Sequence, residues 1–232
     1  MIISPKFYSM KYSIESFYDF IKQYFCDLGF DDGQPFPYNG CIDFYMNNKK
    51  YETSYLCSND RMNDNKFLVG TSLYNRISFQ EVNDILFKFI ANDNNEHYTV
   101  HSLPDYDLYE EELLALKHKY IESEKDLEEV KNILLPYISQ RVLPFFEQIK
   151  TVEDVNEKII NVVDWMRWAD YIPGQTYYKA LIILKLSKSS SYDSFYLMYK
   201  DRLEGYLSGE MPELASYLKT FISIKEYLDQ NY

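Results

Sequence analysis

The 232-residue sequence predicts an α+β protein. It reads as a small antiparallel sheet of three or four strands near the N-terminus, packed by helices, with a mostly helical C-terminal half. Two observations predict this. Between Cys41 and Leu73, three segments alternate apolar and polar residues with a period of two, as half-buried strands do. From Ser78 onward, apolar residues recur three and four apart instead, with Pro and Gly as punctuation. The divide falls after residue 104, giving an α+β part over 1–104 and a helical part over 105–232, packed together as one compact unit.

In chain order, a first helix starts after Ser13. Ile14, Phe17, Ile21, Phe25 and Leu28 share a face, and Gly29 is placed to end it. The stretch DDGQPFPYNG then breaks the helical pattern. Three strands follow: CIDFYM, with Ile42, Phe44 and Met46 on one face; YETSYLC, with Tyr51, Thr53, Tyr55 and Cys57; and KFLVGTSLY, with Phe67, Val69, Thr71 and Leu73. NNKK between the first two suits a hairpin, because Asn tolerates positive φ. SFQE, from Ser78 to Glu81, reads as a capping box opening a helix whose stripe is Val82, Ile85, Leu86, Phe89 and Ile90. HYTVH adds a further short strand.

The next segment is acidic and reads as helical, with Leu108, Leu113, Leu116 and Ile121 as a thin apolar side; Leu127, Val130 and Leu134 continue into another helix. Pro136 suits the first turn of a helix. Pro144 removes a backbone donor, so the chain either kinks there or starts a new helical turn, with Phe145, Phe146 and Ile149 packing the joint. Thr151 and Asp154 resemble a capping box for the helix carrying Val155, Ile159 and Val163. A helix runs toward Trp165 and Trp168 and is stopped by IPG. Leu181, Ile182, Leu184 and Leu186 mark a uniformly apolar, central helix. Another begins near Ser191 and carries Phe195, Met198 and Tyr199. The last starts at Pro212 and carries Leu214, Leu218, Phe221 and Leu228.

Composition narrows the function. The formal net charge is −12, and the segment from Asp105 to Glu129 holds ten acidic and three basic residues, 3 − 10 = −7. Such a protein is repelled by nucleic-acid phosphates and attracts basic partners. Three widely spaced cysteines, Cys26, Cys41 and Cys57, contain no C-x-x-C pair and point to a reducing, cytoplasmic setting. The N-terminus has no signal-peptide pattern, and no apolar run is long enough for a membrane span. Aromatic residues are abundant, with 24 Tyr and 15 Phe. That is the mark of an AT-rich genome or of a tyrosine-rich recognition surface.

No chemistry is spelled out. His97 and His101 lie four apart but flank a strand-like YTV, so a zinc site is not expected, and His118 sits among acidic residues. Phosphate loops, dinucleotide fingerprints and nucleophile elbows are missing, so neither cofactor nor metal is expected. Two stretches remain as candidates. In the first, Asp105, Tyr106, Asp107, Tyr109, Glu110, Glu111 and Glu112 form either a solvated helix face or a docking surface for a basic protein. In the second, DWMRW, Trp165 and Trp168 fall on one side of a helix beside Arg167, as core or as an interaction surface.

The order of features, with Leu28–Phe30, Val142–Val155 and Tyr177–Tyr196 as the matching stretches, resembles a bacterial domain-of-unknown-function family similar to the immunity proteins of polymorphic toxins. The resemblance implies α+β architecture and toxin neutralisation, and it transfers no catalytic residue. The function expected is therefore a non-catalytic cytoplasmic protein-binding domain, of immunity type, with a basic toxin as partner. The alternatives are an enzyme of unrecognised type using carboxylates and tyrosines in a cleft between sheet and helices, or a structural scaffold.

Overall fold

A computed structural model describes residues 14–30, 34–36, 41–46, 49–54, 57–59, 67–69, 75–91, 97–102, 116, 120–121, 123–208, 211 and 214–232. The fold is α+β and mostly helical. It divides into two compact units, one of Met1–Asn75 with Pro104–Pro144 and one of Arg76–Leu103 with Phe145–Tyr232. The single cut after residue 104 expected from the change of periodicity therefore does not describe it. The piece Arg76–Leu103 carries a helix whose apolar face packs on the C-terminal helices, and it goes with them.

In the first unit, α1 (Ile14–Asp27) buries Phe17, Ile21 and Phe25 completely. Gly29 ends it with a φ of +89°, the left-handed conformation that costs glycine no Cβ clash. The turn lets Phe30 fold back against Phe25, ring centroids 5.3 Å apart, while Leu28 is left exposed. Strands β1 (Gln34–Phe36), β2 (Cys41–Met46) and β3 (Lys49–Ser54) form an antiparallel meander, with Phe44 opposite Tyr51. Met46 of β2 stands opposite Lys49 of β3, the register of the hairpin expected at NNKK.

Strands β4 (Cys57–Asn59), β5 (Phe67–Val69) and β8 (Tyr120–Ile121) pair separately as a second antiparallel sheet. A single sheet of three or four strands is thus corrected: the described strands are more numerous and divide between sheets. The described residues of YETSYLC divide between β3 and β4, and Phe67–Val69, the described part of KFLVGTSLY, pair with β4 and β8 rather than extending the first hairpin. Helix α1 lies against β2 and β4.

Helix α3 (Glu124–Tyr137) is capped by Ser123, whose Oγ accepts from the Asp126 amide. It passes into a π-helical segment, Ile138–Val142, and then into α4 (Leu143–Gln148). Pro144 is the second residue of α4, just after the wide turn, where the register changes and a missing amide is tolerated. Pro136 corrects its expectation, for it sits near the C-terminal end of α3 rather than in a first turn. The two prolines bracket the π segment, and Arg141 is part of it. Phe146 is buried and Phe145 half-buried.

The second unit opens with β6 (Asn75–Ser78), which begins one residue before the boundary, followed by α2 (Gln80–Leu86) and β7 (Val100–Ser102). The capping box at Ser78 is not formed. Ser78 ends the strand, and its hydroxyl donates to the His97 carbonyl at 2.6 Å and accepts from Asn83. Phe79 caps the helix, its amide held by the Thr99 hydroxyl at 3.0 Å. The capping box at Thr151 does form, opening α5 (Val152–Val155), which widens into a π segment, Asn156–Ile160.

Helix α6 (Thr176–Leu186) is central: every residue from Tyr178 to Leu184 is buried, and α2, α5, α7 (Tyr192–Ser208) and α8 (Leu214–Asn231) all pack on it. Pro212, expected to open the last helix, lies outside the described residues. The ends of α6, α7 and α8 are tied at Asp229, which accepts from Lys185, Lys225 and the Tyr192 hydroxyl. Partial burial would raise this carboxyl, but those three donors outweigh it and hold it below the usual carboxylate range.

The half-buried His101 in β7 bonds through Nε2 to the Asp170 carbonyl at 2.7 Å. Burial, reinforced by the Arg76 and Lys179 charges, outweighs that bond and holds the imidazole below its ordinary 6.5. The folded protein resists a proton that the unfolded chain accepts. The stability from neutral His101 is present above pH 6.5 and is lost as pH falls through the folded value. Urea unfolding at about pH 7.5 and about pH 5.5 should show a smaller loss for His101→Gln than for the parent. Equal losses would remove His101 from the account.

Candidate functional site

The acidic candidate residues Asp105, Tyr106, Asp107, Tyr109, Glu110, Glu111 and Glu112 lie outside the described residues, as does His118. The other candidate, DWMRW, is described in full, and it is where recognition chemistry gathers. It forms a 3-10 helix, Trp165–Asp170, capped by the Asp164 carboxylate on the Met166 amide at 2.9 Å. With about three residues per turn, Trp165 and Trp168 project the same way, and both rings meet α7 at successive turns. Trp168 packs on Phe195 at 5.0 Å, is buried, and donates from Nε1 to the Val163 carbonyl at 2.9 Å. Trp165 sits one level further along, 6.2 Å from Tyr199, and stays half-buried. One tryptophan is therefore core and the other surface.

Around Trp165 the side chains of α6, α7 and α8 build an aromatic platform. Tyr177 lies 6.0 Å from the indole and 4.3 Å from Tyr199. Tyr178 stacks on Tyr217 at 4.3 Å, and Tyr199 and Tyr217 are hydrogen-bonded through their hydroxyls. Burial pushes the Tyr199 hydroxyl up to about 12 and raises those of Tyr177, Tyr178 and Tyr217. At neutral pH these groups are un-ionised, so the platform offers hydroxyls and ring faces rather than bases.

Arg202 closes the platform. Its guanidinium lies 4.8 Å over the Trp165 ring and 5.3 Å from Tyr206, and its Nε donates to the Tyr206 hydroxyl at 2.7 Å. Met198 and Tyr206, one turn to either side of Arg202 on α7, are each 38% exposed, and Met166 beside Trp165 is 61% exposed. The arrangement presents an indole and a guanidinium against each other, with Met198 one turn before Arg202 on the same helix. Reading the sequence as DWMRW alone missed Arg202, because Arg167, the arginine next to the tryptophans, is turned to Asp170 instead.

A second, polar cleft is lined by Gln80, Asn83, Asp84, Phe87, Lys88 and His97. Asn83 is committed there to holding the strand end, donating from Nδ2 both to Ser78 Oγ and to the His97 carbonyl at 2.9 Å. Among the described residues, no group of His, Cys, Asp and Glu is gathered to hold a metal ion, and no helix is long and apolar enough to cross a membrane. No protein-family model, curated protein or solved structure matches the chain.

Proposed function

We propose that the chain is a non-catalytic protein-binding domain acting in the cytoplasm. The observation that carries this reading is the half-buried Trp165 with the exposed Arg202 and Tyr206 gathered against it, and Met198 one turn away on the same helix. Trp, Tyr and Arg are the residue types that dominate binding energy at interfaces, and Met and aromatics are enriched there. The Trp165 ring is already packed on Tyr177 and Tyr199, so little of its side-chain entropy remains to be lost on association.

The finer form of the proposal is a basic partner, of the kind an immunity-type protein would neutralise. It is supported by the −7 of formal charge between Asp105 and Glu129 and by the resemblance described above. Clustered charge mainly accelerates encounter, whereas buried aromatics hold the complex. Reversing Glu110, Glu111 and Glu112 to Lys is expected to slow association about tenfold at low salt and to flatten its salt dependence, with little change in folding stability. Stopped-flow mixing with the partner purified from the native cell is the test. An acidic partner, or a rate indifferent to both salt and charge reversal, would refute the basic-partner reading.

A further inference from the structure

The cations of the second unit are mostly matched: Lys158 with Asp154, Arg167 with Asp170, Lys185 and Lys225 with Asp229, and Lys200 with Glu204. Arg202 differs. Among the described residues, no carboxylate lies within ion-pair reach of it, although Asp201 precedes it and Glu204 follows on the same helix. Glu204 is taken by Lys200 at 2.7 Å, and Asp201, one residue away, projects from another side of the helix. The guanidinium is held instead against the Trp165 and Tyr206 rings and by the Tyr206 hydroxyl at Nε, which leaves the two Nη groups as a fork.

A planar guanidinium stacked on aromatics, with its fork unoccupied, matches the two oxygens of a carboxylate in bidentate geometry. Stacking removes the rotamer freedom that a free arginine would lose on pairing. A phosphate dianion fits less well, since a single cation beside Asp201 and Glu204 on a chain of net charge −12 supplies too little positive charge.

We propose that the Trp165–Arg202 face of α7 docks a protein partner that places an Asp or Glu carboxylate, flanked by apolar side chains, on the Arg202 fork. The inference rests on the reading of the chain as a binding domain and adds the chemistry of one anchor. It is compatible with a partner that is basic elsewhere, because the acidic segment and Arg202 select different groups on it.

The test follows the indole N–H signals by NMR while acetyl-Leu-Asp-Leu-amide or acetyl-Leu-Asn-Leu-amide is added. The Trp165 signal should move saturably with the Asp peptide and about tenfold more weakly with the Asn peptide, while the Trp168 signal stays in place. Arg202→Gln should abolish the preference for Asp. Arg202→Lys should retain part of it, since the charge remains but the fork does not. Equal affinity for the two peptides, no movement up to about 10 mM, or displacement of the Asp peptide by equimolar inorganic phosphate would overturn the proposal. This result is separable from the function itself. A native partner that binds Arg202→Gln as tightly as the parent sinks the carboxylate anchor and leaves the binding domain standing.

Discussion

Replacing Phe221 with alanine is expected to lower the unfolding free energy by about 4 kcal/mol. Phe221 is fully buried on α8, and its ring meets Tyr178 of α6 together with Phe195, Tyr196 and Tyr199 of α7, the nearest centroid at 5.2 Å. It is thus a shared contact of three helices, and truncation opens a cavity that none of them can fill by moving alone. A domain is stable by only about 5–15 kcal/mol, so the loss is a large fraction of the total. Calorimetry should show the melting temperature falling by about 8–16 °C for a chain of this size. A drop of less than about 2 °C would mean that the three helices are not joined through Phe221.

Lys179 is expected to matter nearly as much, for a different reason. It lies on the central helix with no exposed surface, and its Nζ donates to the Tyr98 carbonyl at 2.7 Å and the Pro173 carbonyl at 2.6 Å. Those carbonyls belong to the approach to β7 and to the turn before α6, so one side chain ties both to the helix. Lys179→Ala removes the donor from one buried and one part-buried carbonyl and leaves a void where the stem was, a loss of about 3–5 kcal/mol. Lys179→Met keeps the stem and removes the cost of burying a charge. It should therefore lose less than Lys179→Ala, and the gap measures packing against hydrogen bonding. Denaturation of the two variants in urea distinguishes these terms. If Met is as damaging as Ala, the stem contributes nothing and the polar contacts are the whole effect.

Neither residue's role could be read fully from the sequence. The apolar stripe of α8 marked Phe221 as core, since Leu214, Leu218, Phe221 and Leu228 keep helical spacing. Lys179, by contrast, stands in YYKALIILKL as an interruption of an apolar run, and its acceptors come from residues outside that helix. The same divide runs through the fold. Helix α1 and its Gly29 stop, the Thr151 capping box and the buried run of α6 all depend on neighbours within a few residues, and all were legible.

Strand pairing was not. A period of two marks a half-buried strand but says nothing about which strand it pairs with. The division of β1–β3 from β4, β5 and β8 therefore emerged only in three dimensions. Ser78 and Glu81 have the spacing of a capping box, yet the Ser78 hydroxyl is captured by the His97 carbonyl, a competitor invisible at short range. The candidate surface followed the same logic: Trp165 was singled out, while Arg202 joins it only because α7 packs beside the 3-10 helix.

The proposed docking surface is tested most directly by photo-cross-linking in the native cell, with a benzophenone amino acid at Met198 and, as control, at Glu157, an exposed residue of the π segment after α5. One discrete adduct with a single protein is expected from position 198, absent from position 157 and lost when Arg202→Gln is added. No adduct from position 198, or the same diffuse set of adducts from both positions, would contradict it.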